Sequence, residues 1–458
     1  MARPGPGLTG RWREFVDRSA RQSPARLALA VFAIVIVLFT ALLAAPWATA
    51  TGTAAPPVDA FFTATSAATV TGLTVVPTGQ FWSTWGLVTI LVAIKVGGLG
   101  VMTLASLLGA AVSRRIGLTS RLLVSSETRT TRLGEVGSLL RTVVITSTTL
   151  ELIGALVLLP RLYMDEHSWG RAAWHSLFYA VSAFNNAGFV PTKEGLVPFV
   201  SDWWVLLPII IGVFIGSLGF PVVLDILRHP RSWRRWSLHT KLTITTSLAL
   251  VVAGGVLVAA FEWSNPATFK PLSPSGTTLA SLFAGVMPRS GGFATVPTGS
   301  MHQGTWLLLD ALMFVGGGSA STAGGIKVTT LAVMLLAIVA EGRGDRDVEA
   351  FGRRIPPETL KLAIAVTVIS ATIVLTASLL LLAMTGQSLD RVLLEAISAF
   401  ATAGLSTGLT PELTTPAKYV LAVLMFIGRT GTMTLAAALA LRNRRRVIRL
   451  PEERPIIG

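Results

Sequence analysis

Four short stretches carry the chemistry open to this chain, and in each a glycine is followed by Leu or Phe. They are Thr69-Val70-Thr71-Gly72-Leu73, Asn185-Asn186-Ala187-Gly188-Phe189, Arg289-Ser290-Gly291-Gly292-Phe293 and Ala401-Thr402-Ala403-Gly404-Leu405. A dehydrated monovalent cation needs several oxygen ligands, and backbone carbonyls supply them without holding the ion too tightly to leave. Glycine lets the backbone turn inward, or take a positive φ, without a Cβ clash. Gly72, Gly188, Gly292 and Gly404 would therefore let these four stretches aim their carbonyls at one axis. None of the four contains Asp or Glu, which argues against a carboxylate-lined divalent site. Small residues also allow close helix packing in membranes. Packing alone does not explain matched stretches that lie outside the apolar spans.

Aligning the glycines also aligns what precedes them. Six residues upstream stand Ser66, Ser182, Val286 and Ser398, and ten upstream stand Phe62, Phe178, Leu282 and Leu394. The glycines are 116, 104 and 112 residues apart, a fourfold internal repeat longer than the ~20–50-residue periods of solenoid arrays. Thr69 to Leu73 also resembles a degenerate potassium-channel filter, Thr-Val-Gly-Tyr-Gly, whose carbonyls replace an ion's hydration shell.

The elements that position these stretches must lie in a membrane. Hydrophobic residues make up 52% of the chain and charged residues 13%, where a soluble protein has about 25% charged. Mean hydropathy is +0.65. The net charge of +15 falls in short basic clusters between apolar runs, which fits membrane flanks better than nucleic acid. There is no cysteine, so no disulfide framework and no thiolate metal site. Counting about 20 apolar residues per crossing predicts eight spans, at 27–48, 85–112, 139–160, 203–227, 240–261, 305–340, 361–384 and 418–441. Each glycine stretch falls between an odd span and the next even one. Short apolar elements such as Asp59–Thr69 and Asp390–Ala401 precede the glycines and are far too short to cross. A re-entrant segment lining a water-filled cavity is their natural reading.

The chain therefore divides into a segment 1–26, repeats at 27–112, 113–227, 228–340 and 341–441, and a tail 442–458. Arginines concentrate in the amino terminus, in the second-to-third, fourth-to-fifth and sixth-to-seventh connections, and in the tail. That pattern predicts cytoplasmic termini and outward-opening loops. Trp47, Trp82, Trp85, Trp169, Trp174, Trp203, Trp204 and Trp306 are expected in an interfacial belt.

Further residues interrupt the apolar spans. The tract Gly316-Gly317-Gly318-Ser319-Ala320-Ser321-Thr322-Ala323-Gly324-Gly325 breaks the sixth span and is expected to unwind beneath the glycine stretches, either as a mobile gate or as a small-residue packing seam. Lys327 follows it, either buried or facing a cytoplasmic vestibule. Arg429 lies inside an apolar run, where a charge costs at least about 2.5–3.5 kcal/mol. Gly428-Arg429-Thr430-Gly431 occupies the place of Gly97-Gly98-Leu99-Gly100 and Gly216-Ser217-Leu218-Gly219. Arg429 is thus expected on the pore side, as a barrier below the filter or paired with a carboxylate such as Glu151. Lys95 is a second charge near mid-span. Arg289 is expected to point behind its loop and bond backbone, with Asp310 or Glu262 as counter-charges.

Taken together, these motifs and the terminal Pro451-Glu452-Glu453-Arg454 resemble the membrane pore subunit of the Ktr/Trk/HKT superfamily of potassium transporters, its bacterial Ktr branch above all. The resemblance covers roughly 27–458. It implies an all-α integral membrane protein of four M1–pore helix–M2 repeats, with eight transmembrane helices around a pseudo-fourfold pore, in a homodimer in the inner (plasma) membrane.

It also implies potassium uptake, with or without dependence on sodium, under a cytoplasmic nucleotide-binding ring of the KtrA type. No organic cofactor is implied in this subunit. The filter residues would be Thr69, Val70, Thr71, Gly72, Asn185, Asn186, Ala187, Gly188, Ser290, Gly291, Gly292, Thr402, Ala403 and Gly404, holding potassium. Gating would fall to Gly316, Gly317, Gly318, Ser319, Gly324, Gly325, Lys327 and Arg429. Lys95 departs from the pattern, where a neutral polar residue is expected.

A sodium-coupled secondary transporter with broken helices is the alternative. It predicts inverted repeats of several spans, whereas this chain repeats in parallel with two spans per unit. An enzyme built on Ser319 has no general base in its sequence signature.

Overall fold

The computed structural model describes residues 24–115 and 134–431. Its apolar stretches are helical, as lipid requires of backbone that finds no water. The first half contains α1 (Pro24–Ala44), α2 (Pro57–Ala68), α3 (Thr84–Arg115), α4 (Gly134–Glu166), α5 (Trp169–Phe184), α6 (Trp203–Leu218) and α7 (Phe220–Arg228). The second half contains α8 (Leu238–Glu262), α9 (Pro274–Val286), α10 (Gln303–Phe314), α11 (Val328–Arg343), α12 (Pro357–Thr385), α13 (Leu389–Phe400) and α14 (Thr415–Phe426). A small antiparallel hairpin, β1 (Val348–Ala350) with β2 (Arg353–Ile355), joins α11 to α12. A π-helical turn over Ile427–Gly431 closes α14.

Among the described residues, three helical stretches are long and apolar enough to cross a membrane: Arg141–Glu166, Leu238–Glu262 and Pro357–Thr385. The expected fourth span is a bent pair, α6 and α7, turned through 99°. The bend falls at Gly219, whose φ of 93° is open to glycine and strained for other residues. The expected sixth span is broken into α10 and α11 across Val315–Lys327, where five glycines and small polar residues leave little to hold a helix together.

The short helices α2, α5, α9 and α13 lead into the four glycine stretches. Their caps are alike. Thr69, Asn185 and Ala401 all take right-handed helical φ/ψ at the C-terminus, with their N–H groups returning to Thr65, Val181 and Ile397. A glycine in a following helix presses against the last carbonyl of the short helix in three of the four cases. A Cβ built on Gly97, Gly216 or Gly428 would lie 2.0, 2.0 or 1.7 Å from the oxygen of Ala68, Phe184 or Phe400. The third stretch departs from this, because there the following helix is the broken one.

The apolar cores lie between neighbouring short helices. One joins Leu43, Ile90 and Ile94 to Phe178 and Phe189, and a second joins Tyr179 and Val213 to Phe283 and Phe293. The largest joins Phe269, Trp306 and Met313 to Leu394 and Leu421 and returns to Phe62 and Leu73 of the first stretch. The Lys418–Asp59 ion pair, 3.0 Å, fastens the same closure. Ile34, Leu156, Val252, Ile338, Val368 and Leu375 face outward and exposed, as a lipid-facing surface requires. Trp47, Trp85, Trp169, Trp203 and Trp204 share that exposure. Trp82 and Trp306 do not: they are buried in these cores, so they stand outside the expected aromatic belt. The arginine-rich termini and Pro451–Arg454 lie outside the described residues.

Gly428→Ala is expected to destabilise the protein by about 1–3 kcal/mol or to abolish its accumulation, since a backbone carbonyl cannot yield as a side chain can. Thermal unfolding of purified protein checks this. An unchanged melting temperature would rule out the close approach.

Candidate ion pathway

The four stretches share one backbone device. Val70, Asn186, Ser290 and Thr402, two residues before each glycine, all have positive φ, at 55°, 59°, 72° and 47°. The glycines themselves stand at 94°, 68°, 73° and 87°. Positive φ in a non-glycine residue is uncommon and strained, more so for β-branched Val70 and Thr402. Alternation of hand along the chain turns successive N–H groups to one side and leaves the carbonyls to the other.

The N–H side is anchored on the preceding helix. Thr71, Ala187 and Ala403 donate to the carbonyls of Ser66, Ser182 and Ser398, and Gly72 donates to Ser66 Oγ at 3.1 Å. Ser182 Oγ holds the Phe189 carbonyl at 2.8 Å. In the third stretch Val286 has no hydroxyl, and the Met287 carbonyl takes the N–H groups of Gly291 and Gly292 instead. The serines aligned in the sequence are therefore where these turns are anchored, by the backbone carbonyl at all three and by the hydroxyl at Ser66 and Ser182 only. Among the described residues, no hydrogen bond ends on the carbonyls of Val70, Thr71, Asn186, Ala187, Ser290, Gly291 or Ala403.

The glycines close a ring. A Cβ on Gly72 would lie 2.5 Å from the Ala187 oxygen, and one on Gly188 would lie 2.8 Å from Gly292 Cα. One on Gly292 would lie 2.8 Å from the Ala403 oxygen, and one on Gly404 would lie 2.3 Å from the Thr71 oxygen. First meets second, second third, third fourth and fourth first. The carbonyl oxygens of Thr71, Ala187 and Ala403 thus each lie against the glycine of a neighbouring stretch. Uncharged carbonyls are ligands suited to a monovalent cation.

The expected unwinding of the glycine tract is observed, and its seat is specific. Gly318 N–H donates to the Ser217 carbonyl at 2.7 Å and Val328 N–H to Gly317 at 3.1 Å. Thr322 Oγ1 bonds Asn186 Oδ1 and the Gly216 carbonyl, each at 3.0 Å. Gly324 N–H reaches Ser290 Oγ at 3.3 Å. Arg429 donates to the Thr322 carbonyl, and Lys327 Nζ to the Ala323 carbonyl at 2.7 Å. Ser319 stands at its edge, 3.4 Å from Thr329 Oγ1. The tract thus touches the second, third and fourth stretches and Arg429 at once. A Cβ on Gly316, Gly317, Gly318 or Gly324 would fall within 2.6 Å of another atom, whereas Gly325 supplies a φ of 67°.

The buried charges find partners other than those expected. Arg429 does not meet Glu151, and its Nε and Nη2 find no hydrogen-bond partner among the described residues. Arg289 points behind its stretch as expected, yet meets neither Asp310 nor Glu262. It donates to the Ser247 carbonyl at 3.0 Å, to Ser247 Oγ at 2.9 Å and to the Gly316 carbonyl at 3.4 Å. Glu262 instead gathers Asn265, Thr268, Thr305 and the His302 N–H. Glu151 belongs to Lys95, at 2.7 Å, with Ser147 Oγ 2.9 Å from the ammonium. Asn185 Nδ2 donates to Glu151 at 2.8 Å, so its side chain turns from the axis towards this pair. The sequence reading also missed Glu395 on α13, which accepts from Ser406 at 2.7 Å, from the Thr407 N–H at 2.9 Å and from Thr410. A glutamate inside an apolar segment, followed by a Ser/Thr-rich turn, was the available signal.

Apolar outer helices around a ring of four glycine turns mark a membrane protein. The chain belongs to the Trk/Ktr family: the sequence pattern described as "TrkH: Cation transport protein" matches residues 32–445. It is 38% identical to the Ktr system potassium uptake protein B of Bacillus subtilis, over 97% of this chain and 99% of that one. It is also 38% identical to the Vibrio alginolyticus protein of the same name, covering 87% and 88% of the two chains. The potassium/sodium uptake protein NtpJ of Enterococcus hirae is 32% identical over 96% and 98%. Among solved structures, the potassium transporter TrkH of Vibrio parahaemolyticus superposes with a TM-score of 0.69 over 89% of this chain and 84% of that one; at 18% identity it speaks for the fold alone.

Lys95→Met is expected to destabilise the protein by about 3–5 kcal/mol, because Glu151 is left buried and uncompensated. Lys95→Met with Glu151→Met should recover most of that loss. Equal losses in the single and double variants, read by thermal unfolding, would show the pair to be uncoupled.

Proposed function

We propose that this protein takes up potassium across the cell membrane through a selective pore. The filter is formed by Thr69–Gly72, Asn185–Gly188, Ser290–Gly292 and Thr402–Gly404. The observation that carries this reading is the closed ring of four glycine turns whose carbonyls, that of Thr402 apart, accept no hydrogen bond among the described residues. Each ring member belongs to one of four M1–pore helix–M2 units, eight transmembrane helices in all, disposed about a pseudo-fourfold axis. The relatives' names, which speak of potassium uptake and of potassium/sodium uptake, support the choice of ion.

Potassium loses its water to these carbonyls, and sodium, being smaller and more strongly hydrated, is compensated less well by a ring of this kind. Beneath the ring, Gly316–Gly325 with Lys327 is the gate. Seated as described, its backbone occupies the way out between Asn186, Ser290, Thr402 and Arg429. Arg429 adds a positive barrier at the same level while its charge is stabilised by the Thr322 carbonyl dipole.

The gate answers to a cytoplasmic nucleotide-binding ring of the KtrA type, and two copies of this chain form a homodimer. The relatives' naming as members of a Ktr system supports a partner subunit. Both termini lie on the cytoplasmic side, where their arginines favour that leaflet.

The deciding experiment is potassium uptake in a bacterium lacking its own potassium transporters, with this chain expressed with and without the partner and across sodium concentrations. Rescue at low potassium is the expected result; no uptake from protein verified in the membrane would refute the reading. Gly72→Ser should raise sodium permeability relative to potassium several-fold, since its side chain must displace the Ala187 carbonyl. An unchanged ratio would remove this stretch from the filter. Gly324→Ala should unseat the gate, because the added methyl meets Thr402 Oγ1 and the Ala401 carbonyl, and so leave uptake less dependent on the partner. Full retention of partner control would place the gate elsewhere.

A further inference from the structure

The four filter stretches are alike in backbone but not in how their carbonyls are used. At the level two residues before each glycine, the carbonyls of Val70, Asn186 and Ser290 accept no hydrogen bond among the described residues. The fourth, Thr402, is taken: Ser290 Oγ donates to it at 2.6 Å. The same hydroxyl oxygen accepts the Gly324 N–H of the glycine tract at 3.3 Å. A single fully buried hydroxyl thus stands between the tract and one filter carbonyl. Gly324 reaches it only by lying flush against the fourth stretch, where a Cβ would come within 2.3 Å of Thr402 Oγ1.

A hydroxyl that accepts a hydrogen bond becomes a stronger donor, because the chain polarises. With the tract seated, Gly324 N–H therefore reinforces the grip of Ser290 on the Thr402 carbonyl. With the tract withdrawn, the hydroxyl loses that donor and its grip relaxes. A carbonyl lone pair engaged by an O–H is a poorer cation ligand than a free one. We propose that Ser290 is a positioning residue that makes the ion affinity of the filter depend on the seating of the gate. It withholds the Thr402 carbonyl when the gate is closed and releases it when the gate leaves. The coupling runs both ways: an ion bound at this level favours the withdrawn tract by the same factor. The inference rests on the reading of these stretches as a potassium filter and of the tract as its gate.

The test is an equilibrium one on the purified full-length chain without its partner, at constant ionic strength, with potassium exchanged for choline. The quantity read is the potassium concentration giving half-maximal protection against thermal unfolding. Ser290→Ala frees the Thr402 carbonyl and is expected to lower that concentration about fivefold, the worth of one hydrogen bond of ordinary net strength. Ser290→Thr keeps the hydroxyl and should bring the midpoint back to within twofold of the parent. The fold tolerates a β-branched residue of this hand, as Val70 and Thr402 show.

When the tract is shortened within Gly317–Ala323, Gly324 is unseated, and Ser290→Ala should then shift the midpoint by less than twofold. Gly324→Ala alone should move it in the same direction as Ser290→Ala, and this variant serves if Ser290→Ala does not fold. An unmoved midpoint in Ser290→Ala, or equal shifts with the tract intact and shortened, overturns the coupling while leaving the filter in place. A parent chain that neither transports potassium nor is protected by it overturns the filter reading itself.

Discussion

Four stretches of backbone can meet at a point only if nothing projects from any of them towards its neighbour. That constraint orders the rest of the molecule. At Gly72, Gly188, Gly292 and Gly404 a single added carbon would come within 2.8 Å of the next stretch in the ring. Backbone brought so close, with carbonyls that accept no hydrogen bond from the described residues, needs a rigid frame behind it. The frame is built from strong local features. Helices α2, α5, α9 and α13 end in tight caps, the residues two before each glycine are held at positive φ, and buried serines anchor the N–H groups. Strain of this kind persists only where the surroundings over-determine it. Here the surroundings are three apolar clusters that each bridge neighbouring turns.

The third unit departs from the others in a connected way. It lacks the anchoring serine, carries Arg289, and has a broken helix where its counterparts rest a glycine on a helix end. These departures meet physically. Arg289 donates to Ser247 on α8 and to the Gly316 carbonyl at the start of the broken tract. The guanidinium thus ties the back of the third stretch to the root of the tract, with five donors in a fixed fork suited to several acceptors at once. This buried cation is held by two backbone carbonyls and a hydroxyl rather than by a carboxylate. Lys95 follows a different rule, paired with Glu151, and the pair is set back from the ring and reaches it only through the Asn185 side chain.

Much of this was legible in the sequence because repetition makes weak signals add. One glycine in a polar loop says little, but four at matched distances from Ser66, Ser182, Val286 and Ser398 single out the turns, and the three serines prove to be where those turns are anchored. The interruption of the sixth span was legible for a local reason, since consecutive glycines cannot hold a helix. The partners of the buried charges were not. A span position fixes depth and, roughly, face, yet Glu151 lies within reach of more than one helix. Whether it meets Lys95 or Arg429 depends on helix rotations that apolar periodicity does not specify. Trp82 and Trp306 failed for a similar reason: tryptophan near a span end is amphipathic enough for an interface and large enough for a core. The bend of 99° at Gly219 is visible only once the tract is seen lying against it, where Ser319 O would meet a Cβ at 2.4 Å.

As the proposed gate, the tract must be both well seated and removable, and its composition reconciles the two. It is built of Gly, Ser, Ala and Thr, so its withdrawal exposes little apolar surface. Hydrogen bonds hold it to the surrounding helices and glycine turns, several of them to neutral groups on Asn186, Ser217, Gly216 and Ser290. Each such bond has a net worth of about 0.5–1.5 kcal/mol when water can replace the lost partner. A handful of them leaves seated and withdrawn forms a few kcal/mol apart, close to the 1–3 kcal/mol typical of coupling between distant sites. A tract held by leucines or by ion pairs would be beyond the reach of such a coupling. Arg429 sharpens the balance, because releasing the Thr322 carbonyl leaves a buried cation with fewer acceptors, a cost that water entering the opened path can offset. The small residues that break the sixth span are thus the ones that would let the proposed gate move.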